Sequence, residues 1–489
     1  MPIMNRRALL STALAAAATP ASLAMGSAQA AEAAPKAGAD HPPVKDVTKT
    51  LARYIVNATY NQLPDDVRKQ GVRSLVNWMG VAVGGSQLDA VNIAATALAP
   101  FSSQGQASLL GRKERMDIMN AAFINGVAGH VLDYDDTHLK TIVHPSAMVV
   151  PALLAYSEYK PVSGQDFLNA VILGIEVSCR MGNAVYPDHY DVGWHITGTA
   201  GVIGTAAAVG KLMKLNEQQM VWALGLAASQ PVGLRESFGS MNKAFNPGRA
   251  ASNGIFAALL AAGNFTSSNQ MLEAERGWAH VVSTKQDFNE IVGDLGKRYE
   301  AVLNTYKPFP CGIVLHPSLD AAIQLQRANK IDSTQIESVA LRVHPHVLEL
   351  TGKKTPGDGL ESKFSVYHAV AAALIEGAGG LKQFSDRAAR DPKIIALRSK
   401  VQPTVDPKIQ TDQVDMTIKF KDGRTLHKFI EHAVGSVEVP TSNKDLELKF
   451  LDVADGIFPK QQIERVIANC WKVESLANAA DIPTSARAV

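Results

Sequence analysis

Gly198-Thr-Ala-Gly-Val-Ile-Gly204 is the stretch on which the fold turns. Its glycine spacing invites a nucleotide-binding loop, which would make the chain an α/β protein built on a parallel sheet. No strand pattern precedes it, and the apolar run continues through Ala206-Ala-Ala-Val-Gly210. A phosphate-cradling turn is entered from a strand and opens a helix, whereas this segment reads as the body of one. Its glycines and alanines are the small residues that let neighbouring helices approach closely. The reading that follows is a helical bundle.

The same texture extends on both sides. Residues 117–131, 148–159, 164–181, 197–213, 217–228 and 250–262 are rich in Ala, Gly, Leu and Val and read as helices. Upstream, Leu63-Pro64-Asp65-Asp66 supplies a helix start, and Val72, Leu75, Val76, Met79 and Val83 follow at helical spacing until Gly84-Gly85. Downstream of Lys307-Pro-Phe-Pro-Cys311 the pattern changes. Val339, Leu341 and Val343 alternate, residues 414–420 alternate, Asp422-Gly423 supplies a two-residue turn, and residues 426–430 return as a hairpin. Helical patterns at 318–329 and 368–377 lie between these strands, and after Pro440 the periodicity is helical again. The expected fold is mainly α: a large all-α helical domain from residues 47–302 and 440–480, with residues 303–439 inserted as a smaller α+β lid domain.

A chain of 489 residues exceeds the size at which single cores stop growing, which agrees with two domains. Its formal net charge of +2 and 19% charged residues leave no basic stripe of the kind nucleic acid requires. Residues 1–30 read as a signal peptide of twin-arginine type, since Arg6-Arg7 precede an Ala/Leu-rich run, Ala28-Gln-Ala30 offers a cleavage site, and the first acid is Glu32. The expectation is a periplasmic or exported protein with no stable membrane insertion once the signal is removed. Residues 31–46 read as a flexible tail. Cys179, Cys311 and Cys470 are odd in number and widely spaced, and so form neither a disulfide framework nor a metal cluster.

Against this apolar background, a few polar insertions carry the chemistry. In His130-Val-Leu-Asp-Tyr-Asp-Asp-Thr-His-Leu-Lys-Thr-Ile-Val-His-Pro-Ser146, three acids and three histidines crowd into one connection. If 133–137 is helical, Asp133 and Thr137 share a face while Asp135 and Asp136 point elsewhere. His144 follows, with Ser146 placed to cap the next helix. His195, in Gly193-Trp-His-Ile-Thr197, suits general acid or base work. Lys243, in Gly239-Ser-Met-Asn-Lys, suits the anchoring of a substrate carboxylate. Lys307 sits in a proline-framed segment with Cys311 and His316 close behind. No Gly-x-Ser-x-Gly elbow, Walker loop or His-Glu-x-x-His helix is present.

Taken in order, Asp-Tyr-Asp-Asp-Thr137 with His144-Pro-Ser, Gly-Trp-His195-x-Thr-Gly, Gly-Ser-x-x-Lys243-x-x-x-x-Gly-Arg-Ala-Ala251, Tyr-Lys307-x-Phe-Pro-Cys311 and Ser-Lys-Phe-Ser365 resemble the MmgE/PrpD family. That family includes 2-methylcitrate dehydratase, cis-aconitate decarboxylase and iminodisuccinate epimerase. The resemblance covers residues 47–470. It implies a homodimer and a cofactor-independent lyase or isomerase, with no metal, that abstracts a proton beside a carboxylate of a small di- or tricarboxylate. Dehydration is the leading reaction, with decarboxylation or epimerisation as alternatives. By matching position it assigns Asp133, His144, His195 and Lys243 to catalysis, with the two histidines as the proton-transfer pair. Thr137, Lys307, Cys311, His316 and His368 are taken as substrate-binding. Asn246 stands where the family has histidine, His368 where it has tyrosine, and Asn77 where it has aspartate, and the segment between Thr137 and His144 is one residue longer than in the decarboxylase.

Two readings compete. Asp133-Tyr-Asp-Asp136 could hold Mg²⁺ and diphosphate, which would require a second acidic cluster facing it. The export signal and two-domain layout could also belong to a periplasmic carboxylate-binding protein without turnover, although such proteins repeat strand-helix-strand units that the first 260 residues lack.

Overall fold

The computed structural model describes residues 44–102 and 104–488, so the expected signal and nearly all of the expected tail lie outside the described residues. Helix α1 (Asp65–Gly85) starts where Pro64 and two acids predict, with the acids set against the positive end of its dipole. Helix α2 (Ile118–His130) is capped by Asp117, whose carboxylate accepts from the backbone N–H groups of Met119 and Asn120. Helices α3 (Ser146–Tyr159), α4 (Gly164–Val185), α5 (Ile196–Leu212) and α6 (Asn242–Ala262) follow. α5 packs on both α4 and α6, and α2 packs on α3 and α6.

The glycines of α5 do what close packing demands. A Cβ on Gly201 would collide with the Met148 side chain, and one on Gly204 with the Ser178 hydroxyl and the Gly174 carbonyl. The stretch is helix interior, not a phosphate loop.

The sheet structure is confined to short pieces and one small sheet. Strand β1 (Asp136–His138) pairs antiparallel with β2 (Asn304–Tyr306), Thr137 opposite Thr305. Beyond it come α7 (His316–Asn329), β3 (Ile336–Val343), α8 (Val366–Glu376), β4 (Val401–Val405), β5 (Val414–Phe420) and β6 (Thr425–Ile430). The four strands β3 to β6 form one sheet in the order β4-β3-β5-β6, with β4 parallel to β3 and the other pairs antiparallel. Val339, Leu341 and Val343 of β3 and Val414, Met416 and Ile418 of β5 are buried. Helices α9 (Asn443–Ala454) and α10 (Lys460–Trp471) follow, before a last short helix at Asp481–Ser485, and Phe450 of α9 lies against α1 where Gly80 leaves room for its ring.

Buried apolar side chains fall into two clusters. One draws on residues 47–306 and 446–486, the other on residues 311–433. Among the described residues no helix is long and apolar enough to cross a membrane.

Three local expectations are corrected. The segment after α2 is not helical: Asp133 takes a left-handed conformation (φ 50°) and residues 136–138 form β1. Ser146 does not cap α3, because its hydroxyl bonds the Asp136 carboxylate (2.5 Å) instead. Helix α6 begins at Asn242, eight residues before the apolar run that signals it, and carries Lys243 in its first turn.

Candidate functional site

The ends of α2, α5 and α6, the turn before β1 and the segment after β2 converge on one cavity with about 370 Å³ of empty space. Its walls include Asp133, His144, His195, Lys243, Lys307 and Phe364. At its centre Asp133 Oδ1 accepts from two ammonium groups, Lys307 at 2.6 Å and Lys243 at 3.1 Å. Asp133 is 4% exposed and Lys307 1%, so both charges are out of bulk water and must satisfy one another. Burial alone would raise the Asp133 pKa; the two lysines outweigh it and hold the carboxyl well below its usual range. Its other oxygen, Oδ2, has no partner among the described residues.

The lysines are positioned by very different neighbours. Lys307 also donates to the carbonyls of Asp133 and Cys311. Lys243 donates to His130 Nε2 (2.8 Å) and stands over the faces of Phe238 and Phe364, 5.5 and 5.8 Å from the ring centroids. Burial lowers the Lys243 pKa, against the opposing charge of Asp133, which makes its ammonium a better acid than a surface lysine. Because Lys243 donates to Nε2, His130 carries its proton on Nδ1 and gives it to Asp135 Oδ2 at 2.8 Å.

The two histidines on the cavity wall have opposite tautomers, assigned by their partners. His144 Nδ1 lies 2.8 Å from the backbone carbonyl of Asp136, which only accepts, so Nδ1 carries the proton and Nε2 keeps a lone pair. Thr137 Oγ1 (3.2 Å) and Asp135 Oδ1 (3.6 Å) flank the same nitrogen. His195 Nδ1 instead receives the Nδ2 donor of Asn246 at 3.0 Å, and a second Asn246 bond to Ser237 fixes that amide. His195 therefore presents Nε2–H. Burial holds both imidazoles well below the ordinary histidine range, so both are neutral, while Asp135 favours the charged form of His144.

Asp136 belongs to the support of the site. Its carboxylate accepts from Ser146 Oγ, the Ser146 N–H and Asn304 Nδ2, and burial beside Asp135 pushes its pKa up to about 7. The three acids of the run thus face three different sets of partners rather than converging. His130, Asp135 and His144 do bring ligand atoms within 4.8 Å of one another, but His130 Nδ1 is hydrogen-bonded to Asp135 Oδ2 and His144 Nδ1 to the Asp136 carbonyl, leaving Asp135 Oδ1 a charge contact 3.6 Å from His144.

Sequence-predicted residues therefore divide. Asp133, His144, His195, Lys243 and Lys307 meet at the cavity, and Thr137 touches it through His144. Cys311 contributes its carbonyl to Lys307, while burial pushes its thiol pKa up. His316 lies behind the cavity, buried against Phe309. His368 does not line it: its Nε2 bonds the Gln383 carbonyl (2.7 Å) and its ring packs near Phe384. Sequence reading missed His130, and it missed Asp135, which it took to point elsewhere. It also missed Lys363, whose ammonium clamps the carbonyls of Leu132 and Pro310, and Lys449, which does the same for Tyr134 and Lys307. The lysine beside Phe364 in Ser-Lys-Phe-Ser365 was a usable signal; Lys449, on a charged amphipathic helix, left none.

A helical body with paired lysines, an aspartate and two histidines in one cavity is the arrangement of an enzyme site, and comparison with known proteins specifies it. Residues 49–291 match the MmgE/PrpD N-terminal domain and residues 309–473 the MmgE/PrpD C-terminal domain. The chain belongs to the MmgE/PrpD family. It is 26% identical over 460 residues to a cis-aconitate decarboxylase of Aspergillus terreus, covering 88% of this chain and 94% of that protein. It is 27% identical over 461 residues to the cis-aconitate decarboxylase of Homo sapiens, covering 90% and 94%. A 2-methylcitrate dehydratase of Salmonella typhimurium is 24% identical over 394 residues, covering 73% and 79%.

Proposed function

We propose that this protein is a lyase that eliminates water from a hydroxylated di- or tricarboxylate, without a cofactor. The observation that carries the reading is the pair of oppositely protonated histidines facing two buried ammonium groups. Lys307 and Lys243 hold a substrate carboxylate and counter the charge that builds on it as the neighbouring C–H bond breaks. His144 Nε2 takes that proton, and Asp135 steadies the imidazolium formed. The C–H electron pair becomes the new double bond, the C–O bond breaks, and the acidic ammonium of Lys243 delivers a proton to the departing hydroxyl, giving water. His195 Nε2–H donates to a substrate oxygen and, being neutral, does so as a hydrogen-bond donor. The unpartnered Asp133 Oδ2 is free to accept from the substrate hydroxyl.

Decarboxylation is the second reading, supported by the decarboxylases that align over nearly the whole chain. It requires delivery of a proton to carbon but no base. Incubation with a panel of di- and tricarboxylates in deuterated water, followed by NMR, separates the two: loss of water with exchange of the α-hydrogen supports the first, and carbon dioxide with deuterium at the former carboxyl-bearing carbon the second. Around this core we further propose that residues 303–439 act as the lid, that the chain works as a homodimer, and that Arg6-Arg7 direct its export to the periplasm.

A further inference from the structure

A second cavity adjoins the first. It has about 480 Å³ of empty space including its mouth, and Ile142, Ile313 and Val314 line both chambers. Its remaining wall includes Leu139, Tyr186, Pro317, Ala433 and Val434, which makes it predominantly apolar, in contrast to the charged first chamber.

Two observations set this annex apart from a packing defect. His316 is 2% exposed and lines it, yet neither ring nitrogen makes a hydrogen bond of normal geometry among the described residues, although the Cys311 backbone is close enough to favour its charged form slightly. A buried imidazole facing a cavity with both nitrogens free calls for a polar partner that the described residues do not supply. The dividing wall is also strained. Ile142 has φ 60°, a left-handed conformation costly for a β-branched residue, in the tight turn where the Ile142 N–H returns to the His138 carbonyl at 2.8 Å. That turn places an apolar side chain between the chambers.

We infer that the substrate is a carboxylate bearing an uncharged, largely apolar arm, with its acidic end among Lys243 and Lys307 and its arm in the annex, where His316 meets an oxygen on the arm. The charge pattern supports this direction. Burial keeps His316 neutral, with its pKa lowered to about 3, and the Asp412 carboxylate on the annex wall is already paired with His432 Nδ1 at 2.8 Å, so neither His316 nor that pair offers a free cation to a further carboxylate. The inference rests on the proposed reaction class and narrows its substrate.

The test is a series of 2-hydroxytricarboxylates carrying a methyl, butyl or hexyl ether arm, compared by kcat/KM in wild type and in Val434→Phe, which narrows the annex. Wild type should gain about fourfold per buried methylene until the arm outgrows the space. Val434→Phe should abolish that gradient, and the hexyl-to-methyl ratio reads this independently of how much of the variant folds; Ala433→Leu repeats it from the neighbouring position. A flat or falling series in wild type, as for a mere entry path, overturns the inference, as does a gradient unchanged in both variants. If no member turns over, the reaction class fails, and calorimetry decides the annex: affinity that rises with arm length upholds it, and length-independent affinity overturns it.

Discussion

Two aspartates three residues apart should respond to the same substitution in opposite ways. Asp133→Asn removes the carboxylate shared by Lys243 and Lys307 and leaves two buried ammonium groups without it. Removing one partner of a buried pair costs about 3–5 kcal/mol. The loss has a definite pH dependence. Without Asp133, the Lys243 pKa falls further below its ordinary value, so the unfolded chain binds more protons and the stability of the variant rises with pH towards the unfolded lysine value of about 10.4. Asp136→Asn acts the other way. Burial and Asp135 raise Asp136 from 3.8 to about 7, so its ionisation destabilises the fold progressively as pH rises through that interval. Complete ionisation corresponds to about 4 kcal/mol. An amide mimics the neutral form, and the Asn304 Oδ1 atom, which has no partner among the described residues, can turn to accept from it. The substitution should therefore be stabilising by about 2 kcal/mol already at pH 5, where the unfolded aspartate is ionised, and by up to about 4 kcal/mol at pH 9. Urea-unfolding midpoints of wild type and both variants from pH 5 to 9 provide the assay. An Asp136→Asn variant as damaged as Asp133→Asn at pH 8, or an Asp133→Asn variant within about 1 kcal/mol of wild type at pH 6, would refute the electrostatic account.

Asn246→Leu removes the donor that fixes the His195 tautomer, and kcat should fall by about 10²-fold, with smaller change in KM; unchanged kcat would show that the tautomer is immaterial. His368→Ala should cost stability through its lost bond to Gln383 but leave KM within about twofold, whereas a large rise in KM would restore His368 as a substrate ligand. Gly248→Ala sets a Cβ 2.6 Å from the Phe123 carbonyl where α6 crosses α2, and should lower stability by about 1–3 kcal/mol in thermal or urea unfolding; no loss would mean the helices have room to separate.

Much of the helical architecture was legible because small and apolar residues recur at helical spacing, and residues 217–228 coincide with the observed helix Glu217–Ala228. The hairpin at 414–430 was equally legible, since alternation flanks Asp422-Gly423 and Gly423 has φ 86°. Strand β4 escaped notice because Pro403 lies within it and most of its side chains are exposed, which is permitted on a sheet edge. Strand β1 escaped because three residues carry no period, and its partner β2 lies more than 160 residues away in sequence. At the site, motif order identified the residues that meet the cavity. It could not show that Asp135 links His130 to His144, since that contact depends on the left-handed turn at Asp133.

The most direct test of the catalytic account is His144→Gln, followed by NMR in deuterated water with a hydroxylated tricarboxylate that wild type dehydrates. Loss of α-hydrogen exchange and of water elimination together, with the folded state and substrate binding retained, is the predicted result. Exchange at the wild-type rate in that variant would contradict it, because the proton would then leave to a base other than His144.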